Sequence, residues 1–240
     1  MELRIAHLYP EEMNMYGDRG NVLALVRRCQ WRQWSVTLTA LRVGDSVDPA
    51  AFDLIFMGGG QDSQQIKIVQ DLHTHKAAGL RQAAERGVVF LTICGGYQLL
   101  GHYYKPHQGE NLPGLGLIDA YTVAGSQRFI GNVSIRRPDG QTVVGFENHS
   151  GLTYLGNGVQ PLGTVVDGYG NNGQDGCEGA VSGNLYGTYL HGSLLPKNPS
   201  LADELIEKAL SVRYGKPIAL FPLDDTLEHK AHERALTLKP

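Results

Sequence analysis

Cys94 is the side chain in this sequence best placed to act as a nucleophile. It stands in Thr92-Ile93-Cys94-Gly95-Gly96-Tyr97-Gln98, directly after the apolar run Val88-Val89-Phe90-Leu91. A short run of β-branched and large apolar residues predicts a buried strand, and the segment after the two glycines predicts a helix. Cys94 then occupies a sharp strand-to-helix turn, which lifts the thiol out of the sheet toward the positive end of the helix dipole. That setting favours a reactive thiolate. A small buried cysteine ending a core strand satisfies the same local pattern.

A cysteine nucleophile needs a base, and the chain carries nine histidines. His191 is the better candidate, because it ends the apolar stretch Leu185 to Leu190 and Gly192 leaves room beside its ring. His149, in Glu147-Asn148-His149-Ser150-Gly151, reads first as structural. His73 and His75 are two apart on a predicted helix and point to different faces, which argues against a joint metal site. His229 and His232 fall in the C-terminal tail and are expected in solvent. Acyl transfer also needs donors for a developing oxyanion. The N–H of Gly95 is one, and Gly60, from Gly58-Gly59-Gly60, is the other. Arg128 carries a fork that can grip a carboxylate. Gln98, one turn after Cys94, can orient an amide or an ammonium group or serve only as a helix residue.

The elements that must hold these groups alternate. Strands are expected at Leu3 to Tyr9, Ser35 to Val43, Phe52 to Met57 and Val88 to Leu91. A helix is expected at Val22 to Arg28, capped by Asp18 or Asn21. A long helical region covers Gln61 to Arg86, with Gly79 as its break. Strand and helix alternating in this way indicate a doubly wound parallel sheet, whose ligands bind at the carboxyl ends of the strands. Cys94 and the glycine loop both fall at that edge. The second half reads as shorter strands at Gly116 to Val123, Ile130 to Arg136, Thr142 to Glu147, Leu162 to Val166 and Asn184 to Leu190. Gly168 to Gly179 reads as a mobile loop, Leu201 to Tyr214 as an amphipathic helix, and Asp224 to Ala235 as a charged, helical tail. The expected organisation is one domain, residues 1–214, followed by a tail, residues 215–240.

Composition narrows the function classes. The 240 residues carry a formal charge of −3, which gives no basis for nucleic-acid binding. No run of 18 apolar residues exists, so no spanning helix or direct membrane insertion is expected. Cys29, Cys94 and Cys177 are odd in number and widely spaced, neither a disulfide framework nor a zinc motif. The N-terminus lacks a signal-peptide pattern, so a cytoplasmic protein with reduced thiols is expected.

The glycine loop Met57-Gly58-Gly59-Gly60, the elbow Ile93 to Gly101 and the late Tyr189-Leu190-His191-Gly192 together resemble the class I glutamine amidotransferases, in the branch shared with cobyric acid synthase. Leu8-Tyr9-Pro10, Asn14 to Asn21, Gly60-Gln61-Asp62 and Gly145 to Gly151 are most similar to the amidotransferase subunits of lipid II isoglutaminyl synthases. The resemblance spans residues 3 to 214. It implies an α/β, flavodoxin-like doubly wound sheet with helices on both faces. It implies that Cys94 attacks the side-chain amide of glutamine, that Gly60 and Gly95 stabilise the oxyanion, and that His191 moves the protons. Arg128 and Gln98 are implied to hold the amino-acid end of the substrate. Ammonia is implied to pass to a Mur-ligase-like synthetase in a heterodimer. That partner, with ATP and Mg, would amidate D-glutamate of the lipid II stem peptide in peptidoglycan biosynthesis. This subunit is implied to need no cofactor or metal of its own. Where many relatives have a glutamate two residues after the histidine, this chain has Ser193, and Glu147 and Asp18 remain as acidic candidates. The alternatives are an amidotransferase serving another synthetase, such as cobyric acid synthesis, or a non-catalytic regulatory module of the same fold. The chain has no Gly-x-x-x-x-Gly-Lys-Ser/Thr loop, which disfavours a self-contained synthetase.

Overall fold

Two wholly buried runs, Leu54–Met57 and Val89–Ile93, set the centre of the protein. A strand buried at every position is covered on both faces, which is the condition inside a parallel sheet. The computed structural model describes residues 1–192 and 194–238. Ser193, within the expected domain, and Lys239 and Pro240, in the expected tail, lie outside the described residues.

In chain order the elements are β1 (Glu2–Leu8), α1 (Arg19–Trp31), β2 (Ser35–Leu41), β3 (Leu54–Met57), α2 (Asp62–Asp71), α3 (Ala77–Glu85), β4 (Val89–Ile93) and α4 (Gly95–Leu100). There follow β5 (Tyr103–Lys105), β6 (Leu112–Pro113), β7 (Ala120–Arg136), β8 (Thr142–Leu155), β9 (Gly163–Asp167) and β10 (Cys177–Glu178). The chain closes with β11 (Ala180–Ser182), β12 (Leu185–Thr188), α5 (Pro199–Tyr214) and α6 (Thr226–Leu236). The first sheet runs β2-β1-β3-β4-β12-β11. All its pairs are parallel except β11 with β12. Without that edge strand this is the flavodoxin-like order, so the α/β doubly wound class read from the sequence is the class observed. β2 is largely exposed, as befits its edge position. Helix α5 lies across β1, β3 and β4, with α1 beside it.

The second half builds a sheet of its own, in the order β10-β9-β7-β5-β6 with β8 on β7. The separate strands expected at 116–123 and 130–136 are one long strand, β7, paired antiparallel with β8 around the Pro138-Asp139-Gly140 turn. Its register breaks between Ala124 and Phe129. Such a bulge re-aims the side chains it carries, and Arg128 lies in it. The two sheets are stitched together where His191 N–H donates to the Phe146 carbonyl at 2.7 Å and Phe146 N–H donates back at 3.2 Å.

Four local expectations need correction. The helical region after the glycine loop breaks at a π-helical turn over Leu72–Lys76, not at Gly79. Gly79 sits inside α3, where a Cβ would lie 2.2 Å from the Val47 carbonyl oxygen. The turn places the fully buried Lys76 against Asp71, at 2.6 Å, and against the carbonyls of Arg42 and Asp45. Neither Asp18 nor Asn21 caps α1 with its side chain. Asp18 stands at the cap position without a capping bond, and Asn21 accepts the Leu195 N–H at 2.8 Å. The 168–179 loop is tied down, because Glu147 accepts the N–H groups of Tyr169 and Gly170 and the Asn171 amide bonds Gly179 in both directions. The tail is also gripped. Arg28, 3 % exposed, holds Asp203 and Asp225 at 2.7 and 2.5 Å, while Arg32 donates to the Phe221 carbonyl. His232, expected in solvent, bonds Thr142 and the Lys197 carbonyl, whereas His229 is exposed.

Candidate active site

The elbow forms as its sequence requires. Cys94 has φ +50 and ψ −106, a conformation few L-residues adopt, between β4 and α4. Strain of this kind, on the order of 1–3 kcal/mol, persists only where the surroundings hold it. Here Cys94 N–H donates to the Thr188 carbonyl at 2.8 Å, and the Cys94 carbonyl receives the Gln98 N–H at 2.9 Å. The thiol is left at the floor of a pocket of about 270 Å³. That is the small end of the range for ligand pockets, suited to a metabolite of amino-acid size.

Gly59 is the point on which the candidate side chains converge. A Cβ there would lie 2.5 Å from His191 Cε1, 3.2 Å from Asp18 Oδ2 and 3.3 Å from Cys94 Cβ. Only glycine fits, and the position shows that thiol, imidazole and carboxylate crowd one spot. Cys94 and His191, 97 positions apart in the chain, therefore share one site, and both line the pocket. Both oxygens of Asp18 lie 3.1 Å from His191 Nδ1, and Oδ2 also accepts the Gly59 N–H at 2.7 Å. Asp18 and His191 are both fully buried. Asp18 is thus the acid that faces the imidazole. Glu147, the other acid considered, contacts His149, at 3.6 Å, and the 168–170 loop. Tyr16 closes over His191 edge-on, with ring centroids 5.0 Å apart.

Burial alone lowers the pKa of an imidazole. At His191 the Cys94 charge and Asp18 outweigh that effect and raise it from 6.5 to about 10. The ring is therefore an imidazolium at neutral pH. Its Nε2 has no partner of full hydrogen-bond geometry among the described residues, although the sulfur is near enough to act on its ionisation.

The remaining expected residues divide. A Cβ on Gly95 would fall 3.0 Å from Gly60 N and 2.8 Å from Gly60 O, so the two candidate oxyanion donors are adjacent backbones beside the thiol. Arg128 is exposed on the pocket rim, its Nε donating to Asn148 Oδ1 at 2.6 Å. Gln98 lines the wall with both ends of its amide engaged: Oε1 accepts from Gln65 at 2.9 Å and Nε2 donates to the Tyr189 hydroxyl at 3.1 Å. His149 also lines the pocket, stacked on Tyr189 at 3.6 Å with Nδ1 donating to the Gly151 carbonyl. The sequence leaves the partner of His191 open between Glu147 and Asp18, because an acid in the Asn14 to Asn21 turn reads equally as a helix cap. No group of three or more His, Cys, Asp or Glu side chains able to hold a metal occurs among the described residues. No helix of the described residues is long and apolar enough to cross a membrane.

Comparison with known proteins follows the same lines. The CobB/CobQ-like glutamine amidotransferase domain family matches residues 4–199. Lipid II isoglutaminyl synthase (glutamine-hydrolyzing) subunit GatD of Streptococcus pneumoniae (strain ATCC BAA-255 / R6) is 40% identical over 240 residues, covering 99% of this chain and 92% of that protein. The subunit of the same name from Staphylococcus aureus (strain N315) is 40% identical over 232 residues, covering 97% and 94%. Among solved structures, a chain of PurLQS from Thermotoga maritima superimposes with a TM-score of 0.64 at 18% identity, over 90% of this chain and 100% of that one. At that identity the likeness is one of fold.

Proposed function

The chain belongs to the CobB/CobQ-like glutamine amidotransferase family, and on that premise we propose that it is the glutamine-hydrolysing subunit of a lipid II isoglutaminyl synthase. It releases ammonia from L-glutamine through a thioester on Cys94. The ammonia passes to a Mur-ligase-like synthetase subunit, which uses ATP and Mg to amidate the α-carboxylate of D-glutamate in the lipid II stem peptide. The working location is the cytoplasm. Residues 1–214 form the amidotransferase domain, and the 215–240 segment, in which Arg28 and Arg32 hold Asp225 and Phe221, is an appendage to it. The observation that carries this reading is the convergence of Cys94, His191 and Asp18 on Gly59 beneath a small pocket.

The geometry supports the following sequence. The Cys94 thiolate attacks the amide carbon of glutamine, and the carbonyl oxygen becomes an oxyanion between the N–H groups of Gly60 and Gly95. His191, held by Asp18, gives its proton to the nitrogen. The C–N bond breaks, and ammonia leaves a thioester behind. With the sulfur's negative charge gone, the main influence raising the His191 pKa is lost. The neutral imidazole then takes a proton from water as the oxygen attacks the thioester. Glutamate departs, and thiolate and imidazolium are restored. Ionisation of His191 thus follows the charge on Cys94, which lets one group act first as acid and then as base.

The test has two stages. A diazo-ketone analogue of glutamine should alkylate Cys94, leave Cys29 and Cys177 unmodified, and be excluded by excess glutamine. With the partner synthetase, ATP and lipid II, the wild-type chain should support D-isoglutamine formation from glutamine. A Cys94→Ala chain should support it only when free ammonia is supplied. Labelling spread over the three cysteines, or amidation from glutamine by the Cys94→Ala complex, overturns the reading.

A further inference from the structure

Strand β12 ends at Thr188, yet Tyr189 and Leu190 must still carry the chain to His191. The strand stops because its neighbour departs. β11 pairs with β12 as far as Ala180 against Gly187, and the chain before it passes through Gly179 to β10 in the other sheet. Gly179 has φ +67, and a Cβ there would lie 2.7 Å from the Gly187 carbonyl oxygen, which reserves the crossing for glycine. The crossing takes away the ladder partners of Tyr189 and Leu190, both fully buried. A buried donor left unpaired costs about 1–3 kcal/mol.

Two side chains stand in for the missing strand. Glu178 Oε1 accepts the Tyr189 N–H at 3.0 Å and the Thr188 hydroxyl, and the Thr188 hydroxyl oxygen accepts the Leu190 N–H at 3.1 Å. Glu178 and Thr188 are fully buried, and Glu178 Oε2 has no hydrogen-bond partner among the described residues. A carboxyl group is costly to bury, and here it is buried for a stretch with Cys94 at one end and His191 at the other. The Thr188 carbonyl accepts the Cys94 N–H at 2.8 Å, and the His191 backbone is bonded to Phe146 of the second sheet. Between those anchors, Tyr189 and Leu190 set the spacing.

We infer that Glu178, acting through Thr188, is a positioning residue that fixes the distance between the Cys94 sulfur and the His191 ring. This rests on the proposed reading of those two groups as the reacting pair. Glu178 does not line the pocket, so it acts on the reaction through the backbone it holds. Asp18 orients the imidazole from Nδ1, whereas Glu178 decides where the backbone of the histidine stands. Displacing a reacting group by about 1 Å can cost on the order of a hundredfold in rate. In the sequence Glu178 falls inside the glycine-rich stretch that reads as a mobile loop, which gives no sign of this role.

The test measures glutamine hydrolysis by the full-length chain and its variants with the partner synthetase present. Glu178→Leu removes both accepted bonds, and Glu178→Gln keeps an accepting oxygen. Thr188→Val puts a methyl group in place of the hydroxyl, and Thr188→Ser keeps the hydroxyl. Glu178→Leu and Thr188→Val should each lower kcat by about ten- to a hundredfold, with KM for glutamine changed by less than about threefold. Glu178→Gln and Thr188→Ser should retain most of the rate that the other two lose. With the imidazolium moved away from the sulfur, NMR of labelled histidine should show His191 titrating below its value of about 10. A loss of stability alone does not produce that change. Should Glu178→Leu fail to fold, the two Thr188 variants carry the comparison. Wild-type kcat in the folded variants, with His191 still titrating near 10 and only the denaturation midpoint lowered, overturns the assignment and leaves the glutaminase reading standing. Failure of the wild-type chain both to hydrolyse glutamine and to react at Cys94 with the diazo-ketone analogue overturns both.

Discussion

Replacing Asp18 by asparagine tests the arrangement at its least local point. The carboxylate serves two donors at once, His191 Nδ1–H and Gly59 N–H. The imidazole pKa rises from 6.5 to about 10, which at 1.36 kcal/mol per unit is roughly 5 kcal/mol in favour of the imidazolium. Cys94 stands ahead of Asp18 among the groups that raise it, and burial opposes both; a hydrogen bond to a charged group such as the one Asp18 makes is worth about 2 kcal/mol. Asparagine removes that contribution and offers one accepting oxygen where two donors wait. A buried donor left unpaired costs about 1–3 kcal/mol more. The sum predicts a fall in kcat/KM of roughly 10²–10⁴-fold, carried by kcat. NMR of labelled histidine should show His191 titrating at least one unit lower, and the alkaline limb of the rate profile should move down with it. A loss of less than about tenfold, with His191 still titrating near 10, would refute the reasoning.

Other outcomes follow from the same geometry. Gly59→Ala puts a methyl group 2.5 Å from His191 Cε1, so kcat should fall by about 10²-fold or more. Stability to denaturant should drop by only about 1–3 kcal/mol, and a larger loss of stability than of activity would count against the site. Glu178 is fully buried, and burial raises its pKa from 4.5 to about 7 against the bonds it accepts from Thr188 and Tyr189. Below pH 4.5 both folded and unfolded chains hold the proton and nothing is lost. Between pH 4.5 and 7 the unfolded chain ionises while the folded one does not, so wild-type stability declines by up to about 3 kcal/mol. Glu178→Gln should remove that decline, so that urea melts of the two proteins diverge as pH rises from 4.5 to 7; a gap independent of pH would refute it. Arg28→Met should cost about 3 kcal/mol, since it strands the Asp225 carboxylate. It should also expose residues 221–236 to limited proteolysis, and unchanged protection there would show that the ion pairs do not anchor the tail.

Much of the fold was legible because its signals are local. Val88 to Leu91 and Leu54 to Met57 announce central strands by being apolar at every position, and the glycines after them mark the carboxyl edge where the site lies. Other features depended on distant partners. The sequence misplaces the break in the long helix, because Gly79 is a glycine for the sake of Val47 rather than for a turn. The bulge of β7 left no mark separating it from two strands and a loop. The 168–179 segment is rich in glycine and reads as mobile, yet the buried Glu147 and Asn171 hold it. His232 looked solvent-bound until α6 was seen against Thr142 and Lys197.

The sequence by itself singled out Cys94, His191 and the glycine backbones around them, because an elbow, a strand end and a glycine loop are each specified by neighbours in the chain. Tertiary structure alone decided that Asp18 completes the set, that Arg128 faces the pocket, and that Gln98 is spent on the wall. A carboxylate next to a helix start has the same local chemistry whether it caps the helix or turns inward to an imidazole 173 residues away. Which of the two wins depends on buried electrostatics, and those exist only once the chain has closed.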